Sequence, residues 1–149
     1  MISEPLRLLG PYQLEKNLVP TNDIYFDYYQ VSLHKDETYR EAALEIGKHF
    51  FRDHHIELLN ARVHVMKPGI QLKKHTDSVP PSHENFHVLH LPLKTNDKAY
   101  LAFERLRVHL KEGHVYEINY GIPHWGANDG DEERIHLFIE LFATPKDRI

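Results

Sequence analysis

The pattern of apolar and polar positions changes period once along this chain. From Asp36 to Phe51, Tyr39, Ala43, Ile46 and Phe50 recur at three- and four-residue intervals, which collects them on one face of a helix. Asp36 stands where a capping carboxylate would accept hydrogen bonds from the first exposed amides. Beyond this helix the period falls to two. Arg62-Val63-His64-Val65-Met66 alternates, and Pro68-Gly69 suits the central pair of a type II turn. Segments 86–93, 99–103, 105–110, 115–119 and 134–142 also read as strands, separated by Thr95-Asn96-Asp97, Glu112-Gly113 and Asn128-Asp129-Gly130. Many short strands behind one helix predict a mainly β protein, a double-stranded β-helix of jelly-roll or cupin-like form with the N-terminal helix packed on it. Residues 1–35 follow neither period, and their run Tyr25-Phe26-Asp27-Tyr28-Tyr29 suits an extra strand or a flap over the barrel mouth equally well.

A length of 149 residues without linker-like or low-complexity tracts predicts one domain over 1–149, with 1–60 a strand and helix segment and 61–143 the β core. The first ten residues show no long apolar run, so a cytoplasmic protein without a membrane span is expected. A net charge of −4 with no basic stripe argues against nucleic acid as a partner. Zero cysteines exclude disulfides and thiolate metal sites together, so any metal must be held by imidazole and carboxylate. The chain carries 13 histidines, the side chain best suited to that task.

Iron(II) with open coordination positions is typically held by two histidines and one carboxylate on one face. On a strand, residues i and i+2 share a side, so a single His-x-Asp/Glu tripeptide delivers two adjacent ligands. Three such tripeptides occur: His34-Lys35-Asp36, His55-Ile56-Glu57 and His75-Thr76-Asp77. The first is better read as a helix cap and the second as exposed chain following the helix. His75 and Asp77 close a predicted strand inside the β region. The third ligand is His124; of the 13 histidines it alone has an arginine ten residues on, Arg134. That guanidinium can pair bidentately with the distal carboxylate of a cosubstrate whose other end chelates the metal.

With these residues assembled, the chain from about Arg62 to Phe142 resembles the aspartyl/asparaginyl β-hydroxylase family, which includes small bacterial proline hydroxylases. The resemblance rests on Met66-Lys67-Pro68-Gly69, His75-Thr76-Asp77, His90-Leu91-Pro92-Leu93, the stretch from Gly113 to His124, and Arg134-Ile135-His136-Leu137. It implies a dioxygenase that hydroxylates its substrate while 2-oxoglutarate and O2 are consumed at iron(II) to give succinate and carbon dioxide. His75 and His124 match the iron ligands, Arg134 the residue for the far carboxylate of 2-oxoglutarate, and His90 a group near the same cosubstrate. Asp77 supplies a carboxylate ligand that the animal aspartyl/asparaginyl hydroxylases lack, which brings the chain closer to the bacterial amino-acid hydroxylases. His64 lies where a serine helps bind cosubstrate in some relatives. Val88, on the same strand face as His90, stands where relatives carry an arginine, so a contact to the near carboxylate or to the substrate is lost.

Alternation places Arg62 on the face of His64 and makes it a candidate for a substrate carboxylate. Trp125, beside His124, is a candidate pocket floor. His136 is expected to face the barrel interior as a core histidine rather than a fourth ligand, and Asn128 to support the loop leading to Arg134. The expected substrate is a free amino acid or a small derivative, with a peptide side chain as the other option. Two rivals stand beside the hydroxylase reading. One is a cupin-like module that binds metal or ligand without turnover, which Val88 favours. The other is a hydrolase or isomerase using the same ligands with zinc or manganese, for which Arg134 has no use.

Overall fold

The computed structural model describes residues 2–20, 28–32, 37–81 and 84–148, with side chains from 28–32 and 148 left aside. The elements are β1 (Leu6–Pro11), β2 (Tyr28–Ser32), α1 (Glu37–Phe50), β3 (His54–Met66), β4 (Phe86–Lys94), β5 (Ala99–Phe103), β6 (Leu106–Val108), β7 (His114–Ile118), β8 (His124–Asn128) and β9 (Arg134–Pro145), followed by a 3-10 turn (Lys146–Arg148). All strand pairs are antiparallel. Six strands form a major sheet in the order β1-β7-β4-β9-β3-β2, and three form a minor sheet, β6-β5-β8. This is the jelly-roll arrangement expected from the strand pattern.

The sheets owe their layering to alternation. Val63, Val65, Leu89, Leu91, Leu137, Ile139 and Leu141 project from one face of the major sheet onto Tyr39, Ala43 and Ile46 of α1, and together they form the largest apolar core. The intervening residues His64, His90, Arg134, His136 and Phe138 project from the other face, between the sheets. The helix packs where its period predicts, burying Tyr39, Ala43, Ile46 and also Gly47, whereas Phe50 is only partly covered.

Several expectations needed correction. β8 was not foreseen, because His-Trp-Gly-Ala-Asn lacks the β-branched residues that mark strands; pairing with β5 holds it in place. His55-Ile56-Glu57, read as exposed chain after the helix, does expose His55 and Glu57 but belongs to the first half of β3, which pairs with β9. The expected boundary at residue 60 therefore falls inside a strand. Of the aromatic run, Tyr28 and Tyr29 open β2, while Tyr25 to Asp27 lie outside the described residues, as do His34, the cap Asp36 and His83. The type II turn at Pro68-Gly69 is present: Gly69 has φ 87°, and the Ile70 amide donates to the Lys67 carbonyl at 3.3 Å.

Candidate metal centre and its cavity

His75 and Asp77 do not sit on a regular strand. They lie on an extended segment that follows the turn at Gly69 and runs antiparallel to β8. The two chains touch as bridges at Gln71 with Ala127 and at His75 with His124. Four steps on one side, Gln71 to His75, face three on the other, Ala127 to His124. That extra residue acts as a β-bulge. Its effect is decisive, because Gln71 opposite Ala127 shares the outward side of β8, and strict alternation would turn His75 outward too. The bulge at Lys73-Lys74 reverses the parity and sets His75 opposite the inward-facing His124. Reciprocal backbone hydrogen bonds, His75 N to His124 O at 2.9 Å and His124 N to His75 O at 2.8 Å, lock the pair. The Asp77 amide donates to the Tyr120 carbonyl at 3.2 Å.

The three side chains converge. One ligand atom from each of His75, Asp77 and His124 lies within 4.8 Å of the others. Asp77 Oδ1 is 3.4 Å from His124 Nε2 and 3.7 Å from His75 Nε2. The Nδ1–H of His75 donates to the Lys73 carbonyl at 2.7 Å, and that of His124 to the Ile122 carbonyl at 2.8 Å. Because a carbonyl can only accept, both rings are held in the tautomer that leaves an Nε2 lone pair facing Asp77. Asp77 Oδ2 is buried without a donor among the described residues. Burial pushes the His124 imidazole down and the Asp77 carboxyl up, but their mutual hydrogen bond and charge, joined by the Ile122 carbonyl at His124 and by His90 and His75 at Asp77, together outweigh burial, raising His124 and lowering Asp77. Two oriented lone pairs, an ionised carboxylate and an orphaned oxygen fit a divalent cation that would take the place of the proton between them.

These residues line one wall of a cavity of about 310 Å³. The opposite wall is the inner face of the major sheet, with Arg62, His64, His90, Arg134, Phe138 and Glu140. Arg134 is buried at 5% exposure and lies beneath Gly126, where a Cβ would sit 3.2 Å from its Nη1. The glycine thus leaves room for the guanidinium two residues along β8 from His124. The loop that delivers Arg134 is tied down by fully buried Asn128. Its Nδ2 donates to the carbonyls of Met66 and Glu132 at 3.0 and 2.8 Å, and its Oδ1 accepts from Asn96 Nδ2 and the Gly130 amide, each at 3.1 Å.

Around Arg134 the imidazoles are neutral. Burial, with the Arg134 charge adding to it, pushes His64 down to about 3. Burial likewise pushes His90 down to about 3 against the pull of Asp77, and burial and Arg134 hold His136 well below its ordinary value. The Nδ1 atoms of His90 and His136 share one hydrogen bond of 3.2 Å, so His136 is an interior histidine, as expected. His64 stacks on Phe138 with ring centroids 4.8 Å apart.

Trp125 is not part of this cavity. Alternation turns it to the outer side of β8, where it lines a separate depression with Gln71, Lys73 and Lys74. Val88 is fully buried in an apolar cluster with Phe86, Tyr120 and Phe138, and its register partner is Glu140, six residues along β9 from Arg134. Sequence reasoning missed Gly126 and Glu140 as parts of the site. Both were within reach of it, since Gly126 shares a strand face with His124 and Glu140 shares one with Arg134.

Solved structures with the same fold include a viral collagen prolyl hydroxylase from Paramecium bursaria Chlorella virus-1, 12% identical over 78% of each chain with a TM-score of 0.55. Another is SnoN, a non-haem α-ketoglutarate-dependent epimerase from nogalamycin biosynthesis, 12% identical over 78% of this chain and 63% of its own, with a TM-score of 0.61. EvdMO1 aligns over 93% of this chain and 47% of its own at 16% identity, with a TM-score of 0.66. Curated proteins compared by sequence yield no match. The sequence profile described as Aspartyl/Asparaginyl beta-hydroxylase matches residues 22–144, most of the length. The chain therefore belongs to the aspartyl/asparaginyl β-hydroxylase family and is an iron(II)- and 2-oxoglutarate-dependent dioxygenase.

Proposed function

We propose that His75, Asp77 and His124 hold the iron(II), that Arg134 receives the far carboxylate of 2-oxoglutarate, and that the hydroxylated substrate is a free amino acid or a small derivative. The observation that carries this reading is the cavity itself, with the His-Asp-His cluster on one wall and a buried arginine reaching under Gly126 from the other. A volume of about 310 Å³ is at the lower end for ligand pockets and favours a cosubstrate and one small molecule.

When bound, the iron supplies the activation of O2 coupled to decarboxylation of the keto acid. The chain's own residues do the rest. Lys73 and Ile122 orient the two imidazoles through their carbonyls, and Asp77 supplies the negative charge. Neutral His64 and His90 can donate to an anionic cosubstrate without adding charge, so Arg134 alone balances the distal carboxylate. Phe138 gives the cavity an apolar lining, and Val88 is buried in the same apolar cluster. The absence among the described residues of any helix long and apolar enough to cross a membrane fits an enzyme of the cytoplasm, where reducing conditions keep iron ferrous. Cell fractionation tests that location.

Anaerobic titration of 2-oxoglutarate into the iron(II)-loaded protein is expected to give visible charge-transfer absorption. Arg134→Ala should weaken that titration by on the order of 2–5 kcal/mol, well over tenfold, as for truncation of a buried charged partner. Absence of the band at millimolar 2-oxoglutarate would refute the assigned roles. Mass spectrometry of an amino-acid panel after aerobic incubation should then show one compound gaining one oxygen atom.

A further inference from the structure

Glu140 has no part in holding metal or cosubstrate, yet it lines the same cavity. It stands six residues from Arg134 on the same face of β9, about 20 Å along the strand, far beyond the length of a five-carbon dicarboxylate. In register it faces Val88 on β4 and Asn60 on β3, neither of them charged. Asn60 Nδ2 donates to Oε1 at 3.2 Å, a neutral hydrogen bond that satisfies one carboxylate oxygen. Phe138 and Phe142 flank it on its own strand. Burial raises its carboxyl above the ordinary range, with Asp77 adding to that effect and Asn60 and Arg62 opposing it. Asn60 and Arg62 offset only part of the cost of burial, so a further cation is favoured beside this carboxylate.

We propose that Glu140 binds a protonated amine of the substrate, making this end of the cavity selective for amino compounds. The inference rests on the hydroxylase reading and deepens it. Arg62, diagonal to Glu140 across the β3–β9 pair and on the same cavity lining, supplies the opposite charge. An α-amino acid presents both groups, with its ammonium toward Glu140 and its carboxylate toward Arg62. Its side chain then extends toward Ser78 and the Asp77 wall. Val88 serves this arrangement, since a cationic side chain there would stand in register with Glu140 and compete with the amine.

The test is calorimetry on the full chain, loaded anaerobically with iron(II) and 2-oxoglutarate, titrated with the twenty protein amino acids. Each binder is repeated as its N-acetyl derivative and as the 2-hydroxy acid that lacks the amine. Loss of the positive charge should weaken binding at least about tenfold, and Glu140→Gln should weaken the parent amino acid by a similar factor. Glu140→Asp should keep the preference for the amine, and the charge-transfer titration with 2-oxoglutarate should be unchanged in both variants. Equal affinity for amine and amine-free compounds, normal binding by Glu140→Gln, or failure of every amino acid to bind at millimolar concentration overturns the inference. The two readings fail separately. A normal band without amine selectivity removes only the role of Glu140. Selectivity lost in Glu140→Gln, in a protein that gives no band, removes the assigned cosubstrate roles and leaves Glu140 as stated.

Discussion

The two faces of the major sheet are made from the same strands and have almost nothing in common. On β9, Ile135, Leu137, Ile139, Leu141 and Ala143 face α1 and are at most 1% exposed. Between them Arg134, His136, Phe138 and Glu140 face the cavity. β3 and β4 divide in the same way, with Val63, Val65, Leu89 and Leu91 set against His64, Arg62 and His90. One face gains its free energy from apolar burial, whereas the other keeps charge and imidazole around a cavity. The strand period of two lets one segment serve both ends without compromise at any single residue. Substitutions on the two faces should therefore separate cleanly, one set affecting stability and the other binding.

The largest expected effect lies on the helix side. Leu137→Ala removes a fully buried side chain and should lower stability by about 2–5 kcal/mol in urea unfolding, while the metal affinity of the folded fraction stays as in the wild type. A stable variant that had lost metal would show that the two faces are coupled. On the cavity side, His124→Ala should weaken iron(II) binding by roughly a hundredfold or more with a small change in melting temperature. His55→Ala, in a competing His-x-Glu tripeptide that structure places on β3, should leave binding unchanged in the same titration. Equal loss at His55 would mean that the wrong tripeptide had been chosen.

What could be read in the sequence follows the same division. Regular alternation disclosed both faces of β9 and the inward direction of His64, His90, Arg134 and His136, because a strand buried on both sides still fixes which residues share a side. The His75, Asp77 and His124 grouping was also legible, although for an incomplete reason. Alternation alone would have turned His75 outward, and only the extra residue at Lys73-Lys74 brings it in. Such a bulge carries no signature in residue type. Trp125 was misplaced because adjacency in sequence was taken for adjacency in space; on β8 neighbouring residues face opposite ways. β8 itself went unseen, since its place is dictated by pairing with β5 and with the segment after Gly69, both tertiary facts.

Gly126 sharpens the contrast from inside the cavity. A methyl group there would meet Arg134 Nη1 at 3.2 Å and Met66 Cε at 3.3 Å, tight contacts against two side-chain ends that can yield by a few tenths of an ångström. Gly126→Ala should therefore fold, and should displace the guanidinium enough to weaken 2-oxoglutarate about tenfold in the charge-transfer titration. Unchanged affinity would show that Arg134 does not need its present position under β8.

The smallest effect concerns an ionic cluster on the helix side of the sheet, which breaks the rule that this face is apolar. Glu117 on β7 is 2% exposed, accepts from Arg7 Nη2 on β1 at 2.6 Å, and accepts from the Nδ1–H of His87 on β4 at 2.6 Å. Burial acts to raise its carboxyl, but the hydrogen bonds and charges of His87 and Arg7 outweigh burial and hold it below the usual carboxylate range. A carboxyl lowered in the folded state stabilises the protein above its unfolded pKa, and that contribution is lost as pH falls through the folded value. Glu117→Gln should therefore cost about 1–2 kcal/mol near neutral pH, the scale of hydrogen bonds to a charged group. The difference from wild type should close below about pH 4, where the unfolded carboxyl is protonated and the folded one follows. At each pH in that range Glu117→Gln should match wild type in its iron(II) and 2-oxoglutarate affinities, because the cluster lies on the far side of the sheet from the cavity. Urea unfolding of both proteins between acid and neutral pH reads this directly. Parallel curves with no convergence would mean that Glu117 ties β1 to β4 by shape rather than by charge.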